Sequence, residues 1–212
     1  MRFIVLVTLL SLFNGLHAQA LTRMAVAEDL QRMISAMELY HCNAYLYQDS
    51  VTIASLRHSL IGQLPEHPTA MEAYRAANLL ACAFGDGHTR VWDYGVEKAY
   101  REAGGTYLPL AVDAYGGRLV VRADYRETDA PLIGAEITAI NGVATATLLA
   151  DMSRHASRET AALDLALLSR NFRRYLWLTY PWATGDFTIS LADGRKRHIN
   201  GHTAQAITQH LP

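Results

Sequence analysis

Apolar residues recur at helical spacing in three stretches between Glu28 and Phe84, which predicts three helices. The first stretch starts at the acidic pair Glu28 and Asp29 and ends near His41. Its apolar residues at i, i+3, i+4 and i+7 are Leu30, Met33, Ile34 and Met37. Three amphipathic helices can bury such stripes against one another, so we expect an N-terminal three-helix bundle.

The second and third helices begin at residues that can cap a helix. Asp49 or Ser50 can accept a hydrogen bond from the first turn of the second helix, which closes at residues 62–65. Thr69 and Glu72 have the spacing of a capping box at the start of the third. These caps predict where two of the three helices begin.

After Gly104-Gly105 the apolar period changes from helical to strand-like, which we take as a domain boundary. Asn141-Gly142 and Asp193-Gly194 are dipeptides that favour tight hairpin turns. The elements predicted beyond the boundary are strands at 107–112, 118–122, 134–142, 186–191 and 195–199, a helical stretch through 148–152 and a helix over 159–180.

The pattern as a whole predicts an α+β architecture. A three-helix N-terminal domain spans residues 21–104, and a small mixed β domain with a helical insertion spans residues 105–212. Of the 212 residues, 50% are hydrophobic and 18% charged, which is ordinary for a globular protein. The formal net charge of −1 leaves no basic excess to neutralise phosphates, so nucleic acid is not an expected partner.

Residues 1–20 have the pattern of a signal peptide. Arg2 supplies the positive start, residues 3–13 form an apolar run, and Ala18-Gln19-Ala20 is a small-x-small cleavage site. Cleavage after Ala20 would leave a periplasmic or secreted chain with no stable membrane span. The alternative is a retained anchor, although the run is short for a helix that crosses a bilayer.

Cys42 and Cys82 are the only two cysteines. An even pair in an oxidising compartment makes one disulfide between them a candidate. Two separate buried thiols are the alternative, because spacing along the chain does not give their geometry.

The loop of residues 85–90, Gly-Asp-Gly-His-Thr-Arg, is the tightest group of polar residues with chemical potential. Its glycines permit unusual backbone angles, so the loop can hold His88 at an opening, where an imidazole can act as a general base. In the structural alternative the glycines end the helix, and Asp86 and Thr89 bond nearby backbone groups.

A histidine base needs a nucleophile, and the sequence has none in a recognised pattern. No Gly-x-Ser-x-Gly element is present, and neither Lys98 nor Lys196 follows a serine by three residues. His41 and Cys42 have no second histidine or cysteine three or four residues away, so we expect no metal site and no cofactor.

Three arginines of the long predicted helix form a cationic stretch: Arg170, Arg173 and Arg174. Such a stretch is usually a solvated face, although a peptide carboxylate could dock there.

Three segments together resemble the tail-specific, or C-terminal processing, peptidases, a family that includes the tricorn core. They are His41-x-Asn43-Ala44-Tyr45, Asp86-Gly87-His88-Thr89 and Gly134-x-Glu-Ile-x-x-Ile-Asn-Gly142. The resemblance implies that the β domain is PDZ-like and that the family activity is serine-type peptide hydrolysis. It places His88 as the base of the tricorn-like Ser/His/Glu arrangement, with Asp86, Gly87 and Thr89 as the supporting loop.

In that family a catalytic domain with the nucleophilic serine follows the PDZ-like part, whereas this sequence stops at Pro212. We therefore expect the isolated chain to have no peptidase activity, because the covalent step needs the serine. One hypothesis is a non-catalytic N-terminal portion of a peptidase that acts on polypeptides with a separate catalytic chain. The alternative is a stand-alone exported module that binds peptides or proteins.

Overall fold

The computed structural model describes residues 20–93, 95–156 and 160–209. The predicted signal peptide lies outside the described residues except for Ala20. Within the described ranges, no helix is both long enough and apolar enough to cross a membrane.

The N-terminal part contains the three predicted helices: α1 (Arg23–Tyr40), α2 (Ser50–Gln63) and α3 (Ala70–Ala83). Asp49 caps α2, and Thr69 and Glu72 form the predicted capping box at the start of α3. Helix α1 begins before the predicted Glu28, because Thr22 accepts a hydrogen bond from the backbone N–H of Ala25. The N-cap residue Thr22, and not the acidic pair, therefore marks the start of α1.

The bundle buries the apolar faces of the three helices against one another. Its core residues are Val26, Leu30, Ile34, Ile53, Leu60, Ala76, Leu80 and Phe84. Two of the four residues in the predicted stripe of α1, Leu30 and Ile34, are buried, whereas Met33 and Met37 pack partly exposed at the edge of the core. The helical periodicity therefore identified the packed face of α1.

A short helix, α4 (Val96–Glu102), connects the bundle to the sheet and was not predicted. It spans only two turns, too few for periodicity to reveal it. Tyr100 ties α4 to the next strand: its hydroxyl donates to Thr106 O at 2.6 Å and accepts from Thr106 N at 3.0 Å. A Cβ on Gly105 would lie 2.4 Å from the Tyr100 ring, so this approach requires glycine.

The remaining strands and helices are β1 (Thr106–Tyr107), β2 (Leu110–Tyr115), β3 (Arg118–Asp124), β4 (Glu136–Ile140), β5 (Val143–Ala144), α5 (Thr145–Ser153), α6 (Ala161–Thr179), β6 (Asp186–Leu191), β7 (Lys196–Asn200), β8 (His202–Thr203) and α7 (Ala204–Gln209). The main sheet has the order β2-β3-β4-β6-β7, with β5 paired to β4. A separate pair joins β1 and β8, and every pairing is antiparallel. The chain is thus α+β, as predicted.

Helices α5 and α6 cover one face of the main sheet. Strand β2 alternates buried and half-buried positions along most of its length, which is the pattern of a sheet with one packed face. Leu148 and Met152 of α5 and Leu168 and Phe172 of α6 are buried in the same core as the strands. Helix α6 is kinked at Asn171, whose φ of −124° and ψ of 26° are not helical.

An aromatic cluster and one arginine join the bundle to α6. Tyr74 and Trp177 are buried in this cluster, and Trp177 lies 5.3 Å from the Tyr100 ring between centroids. Arg75 of α3 donates to the carbonyl of Leu178 at 2.6 Å and to that of Trp177 at 3.1 Å. The bundle therefore packs on α6, the helix that covers the main sheet, and the boundary at residues 104 and 105 stays a prediction.

Candidate functional site

The loop that carries His88 follows α3 and begins at a glycine. Gly85 has a φ of +78°, and its N–H donates to the carbonyl of Cys82. A Cβ at this position would lie 2.8 Å from the Cβ of Tyr47. Both the backbone angle and the close neighbour therefore require glycine here.

Asp86 is the organising residue of the loop, because its carboxylate accepts several hydrogen bonds. The donors are Thr89 Oγ1 at 2.7 Å, the backbone N of His88 at 3.2 Å and His41 Nε2 at 3.3 Å. The hydrogen bond from Thr89, together with those from His88 and His41, lowers the pKa of Asp86 to about 2. Asp86 is therefore a carboxylate at neutral pH.

His41 is the partner of Asp86 that the sequence did not reveal. Its Nδ1 accepts from the backbone N of Asn43 at 3.1 Å, so its ring hydrogen is assigned to Nε2, the atom that faces Asp86. In a three-helix bundle the first and third helices run in the same direction. The residues that follow α1 and α3 therefore share one end of the bundle, a signal that could have placed His41 beside the loop.

The His88 ring projects away from the protein surface. Its side chain is 91% exposed, whereas the side chain of Asp86 is only 17% exposed. Nδ1 of His88 lies 3.4 Å from Asp86 Oδ1. The carboxylate thus sits on the Nδ1 side of an exposed imidazole, the side on which a triad carboxylate orients its histidine.

Gly87 of the same loop borders a cleft of about 550 Å³, here called the central cleft. Among its lining residues are Tyr74 and Asn78 of α3, Asn171 and Arg174 of α6, and Trp92. Trp92 is 67% exposed and lies under the guanidinium of Arg90, 5.6 Å from the ring centroid. An exposed indole beside an open cleft offers apolar area to a ligand that enters it.

A buried polar pair lies in the wall of the central cleft. His155 Nδ1 is 3.0 Å from Asn78 Oδ1, and both residues are almost fully buried. Burial, with smaller contributions from Arg154 and Arg75, lowers the pKa of His155 to about 4. The ring is therefore neutral at pH 7 and donates from Nδ1 to the amide oxygen. Neither residue belongs to a motif that the sequence reveals.

The two cysteines occupy different environments. Cys42 is exposed just beyond α1, whereas Cys82 is buried in α3, with Sγ 3.9 Å from Asn78 Oδ1. No disulfide joins these two described residues in the structure. The disulfide between Cys42 and Cys82 stays a prediction.

No protein-family model and no curated protein matches this chain. Solved structures do match its fold. A structure of mature CPAF complexed with lactacystin superposes with a TM-score of 0.59 at 16% identity, over 84% of this chain and 34% of that one. A second structure of mature CPAF gives a TM-score of 0.57 at the same identity and coverage.

A photosystem II D1 C-terminal processing protease also aligns, at 15% identity over 82% of this chain and 43% of its own, but its TM-score of 0.28 is too low to support an argument. The similarity to CPAF therefore concerns the fold. This chain spans about a third of the length of the CPAF structures.

Proposed function

We propose that this chain is the N-terminal portion, without catalytic activity on its own, of an exported serine-type peptidase of the tail-specific class, tricorn-like branch. In this proposal the sheet with α5 and α6 is the PDZ-like part, and hydrolysis needs a serine supplied by another domain or chain. The observation that carries the proposal is the exposed His88 ring beside the Asp86 carboxylate, on a loop that borders the central cleft. The fold similarity to CPAF supports it.

The proposed role of His88 is that of general base. An exposed imidazole can reach a serine that arrives from outside this chain, and a carboxylate near Nδ1 stabilises the imidazolium that forms when the ring takes a proton. Asp86 is itself held by Thr89 and His41, so the acceptor is in place before any partner binds. Apo distances such as 3.4 Å between Nδ1 and Oδ1 can shorten in the working complex.

The first test is hydrolysis of labelled, chemically unfolded casein and of chromogenic peptides by the purified chain. We expect turnover no faster than in buffer, because the acyl-transfer step has no nucleophile. We also expect the chain to bind unfolded casein, measured by fluorescence anisotropy. Turnover that disappears in His88→Ala but persists in His67→Ala, a change at an exposed histidine, would show that the chain is catalytic by itself.

The second test concerns the source of the serine. The coding sequence beyond the Pro212 codon and the adjacent genes are searched for a serine-bearing domain, which is then added to the purified chain. We expect hydrolysis with the wild-type chain and with His67→Ala, and at least about a hundredfold less with His88→Ala. Equal rates of hydrolysis with the wild-type chain and both variants would show that His88 takes no part in the reaction.

A stand-alone peptide-binding module is the second candidate, and the edges of the sheet favour one site for it. Among the described residues, β2 and β7 end the strand order of the main sheet. On β2, Ser169 of α6 already bonds the backbone N of Ala114 at 2.8 Å. That leaves β7 as the edge to which an extended peptide could add. Peptide binding without turnover, unaffected by His88→Ala and by any added catalytic domain, would favour this candidate.

A further inference from the structure

A second pocket, here called the arginine pocket, lies between α4, α6 and α7. Its volume is about 290 Å³. The charged residues that line it are Arg101, Arg170, Arg173, Arg174 and Glu97. Arg101 and Arg170 are exposed at the rim, whereas Arg173 and Arg174 are half-buried. Among the described residues, four guanidinium groups and a single carboxylate thus line one small pocket.

The one carboxylate in the pocket is already paired. Glu97 Oε2 accepts from Arg174 Nε at 2.8 Å, and Arg174 Nη2 also lies 3.4 Å from Asp93 Oδ2. Arg174 therefore has its counter-charges inside the protein. No other carboxylate of residues 20–93, 95–156 or 160–209 lines the pocket to balance the positive charge of the other three arginines.

Arg173 lines the pocket and has one guanidinium nitrogen without a hydrogen-bond partner among the described residues. Its Nη1 is buried and has no hydrogen-bond acceptor in the described part of the chain. Its guanidinium lies 5.3 Å from the centroid of the Tyr125 ring, which holds it in place. Burial lowers the pKa of Arg173 from its usual value, although arginine stays protonated at neutral pH. Because Nη1 is shut off from solvent in this structure, an anion in the pocket would contact it only if the guanidinium moved, and that contact would remove the cost of the unpaired donor.

The arginine pocket is next to the central cleft. Asn171 and Arg174 line both, and Asn171 is where the backbone of α6 departs from helical geometry. A ligand with an anion in the pocket could therefore continue past the kink into the cleft. An extended polypeptide has that shape, whereas a small free anion would fill only the pocket.

We propose that the arginine pocket binds the carboxylate of an acidic side chain in an extended polypeptide, whose neighbouring residues lie along α6 towards the central cleft. Guanidinium groups offer paired N–H donors that match a carboxylate, so the site discriminates against the uncharged amide of glutamine. The polypeptide nature of the ligand rests on the proposed function. The preference for a carboxylate rests on the pocket alone.

The experiment measures binding of a fluorescent heptapeptide with one central glutamate and blocked termini, by anisotropy, to the full chain. The matched peptide carries glutamine instead. We expect the glutamate peptide to bind about tenfold or more tightly, the advantage of one charge-assisted hydrogen bond. Arg173→Gln and the rim variant Arg170→Gln should remove most of that difference.

The control variant is Arg122→Gln, which makes the same change in net charge at an exposed arginine of β3, on no wall of the pocket. It should leave the preference unchanged. Because Arg170 is exposed, its variant tests the pocket even if Arg173→Gln lowers the melting temperature. A loss in Arg122→Gln as large as in Arg170→Gln would overturn the proposal, since binding would then follow overall charge.

Free glutarate separates the two parts of the proposal. We expect it to compete with the glutamate peptide in the wild-type chain. Equal binding of the glutamate and glutamine peptides overturns the arginine pocket but leaves the proposed function standing. If glutarate binds but neither peptide nor unfolded casein does, the ligand is not a polypeptide. That outcome overturns the proposed function as well.

Discussion

Acidification should lower the stability of the fold through His155, whose ring joins the end of α5 to α3 of the bundle. This residue follows α5, yet its ring bonds Asn78 of α3 and is only 6% exposed. Protonation places a charge in that buried position, beside an amide oxygen that already accepts from Nδ1. The perturbation is a fall in pH from 7.5 to 4.5, compared between the wild-type chain and His155→Gln.

The sign and the size follow from the pKa difference between the folded and unfolded states. The folded pKa is about 4, below the value of 6.5 for an unperturbed histidine, so the unfolded chain binds more protons between these values. The stabilising effect of the neutral buried ring is complete above pH 6.5 and is lost as the pH falls towards 4. At pH 4.5 we expect the unfolding free energy to be about 2.5 kcal/mol lower than it is well above pH 6.5, because of this residue alone.

The assay is urea unfolding followed by tryptophan fluorescence at several pH values. The quantity of interest is the pH-dependent loss in the wild-type chain minus the loss in His155→Gln, in which the contributions of all other groups cancel. The matched control, His67→Gln, changes an exposed histidine and should follow the wild-type curve. A difference under about 0.5 kcal/mol at pH 4.5 would refute the burial of a neutral His155.

Two further substitutions test the packing that positions the site. Arg75→Met removes both hydrogen bonds to carbonyls at the end of α6, so it should lower the unfolding free energy, measured in urea, by about 2–3 kcal/mol. The control Arg32→Met, on the exposed face of α1, should lower it by under about 0.5 kcal/mol. Gly201→Ala places a Cβ 2.2 Å from the carbonyl oxygen of Gly185 and should lower the unfolding free energy by about 2 kcal/mol or more. Gly62→Ala, in a helix with open space around it, should instead raise it by up to about 1 kcal/mol; equal effects at the two glycines would contradict the close approach.

Much of the fold was predictable because its signals are local. The cap of α2 and the capping box of α3 depend on residues within one turn. The Asn141-Gly142 turn takes the positive φ values of 48° and 81° that its sequence favours, and Gly194 has a φ of 84°. Strands between such turns were correctly placed to within a few residues.

What the sequence did not reveal depends on contacts between distant segments. His41 and Asp86 are 45 residues apart, and Asn78 and His155 are 77 apart, so neither pair leaves a mark in local spacing. The same holds for the arginine pocket. The sequence showed a cationic stretch in α6, but only the approach of α4 and α7 turns part of that helix face into a pocket.

The loop of His88 combines a rigid support with an exposed reactive group. Asp86 is fixed by a neighbour in the loop and by His41 from the end of another helix, yet the imidazole of His88 stays almost entirely exposed. An exposed polar side chain on a loop is ordinary by itself, so what distinguishes His88 is the fixed carboxylate beside its ring. In the proposed function, such a preorganised carboxylate suits a partner that brings the nucleophile, because the orienting group does not need to move when the partner arrives.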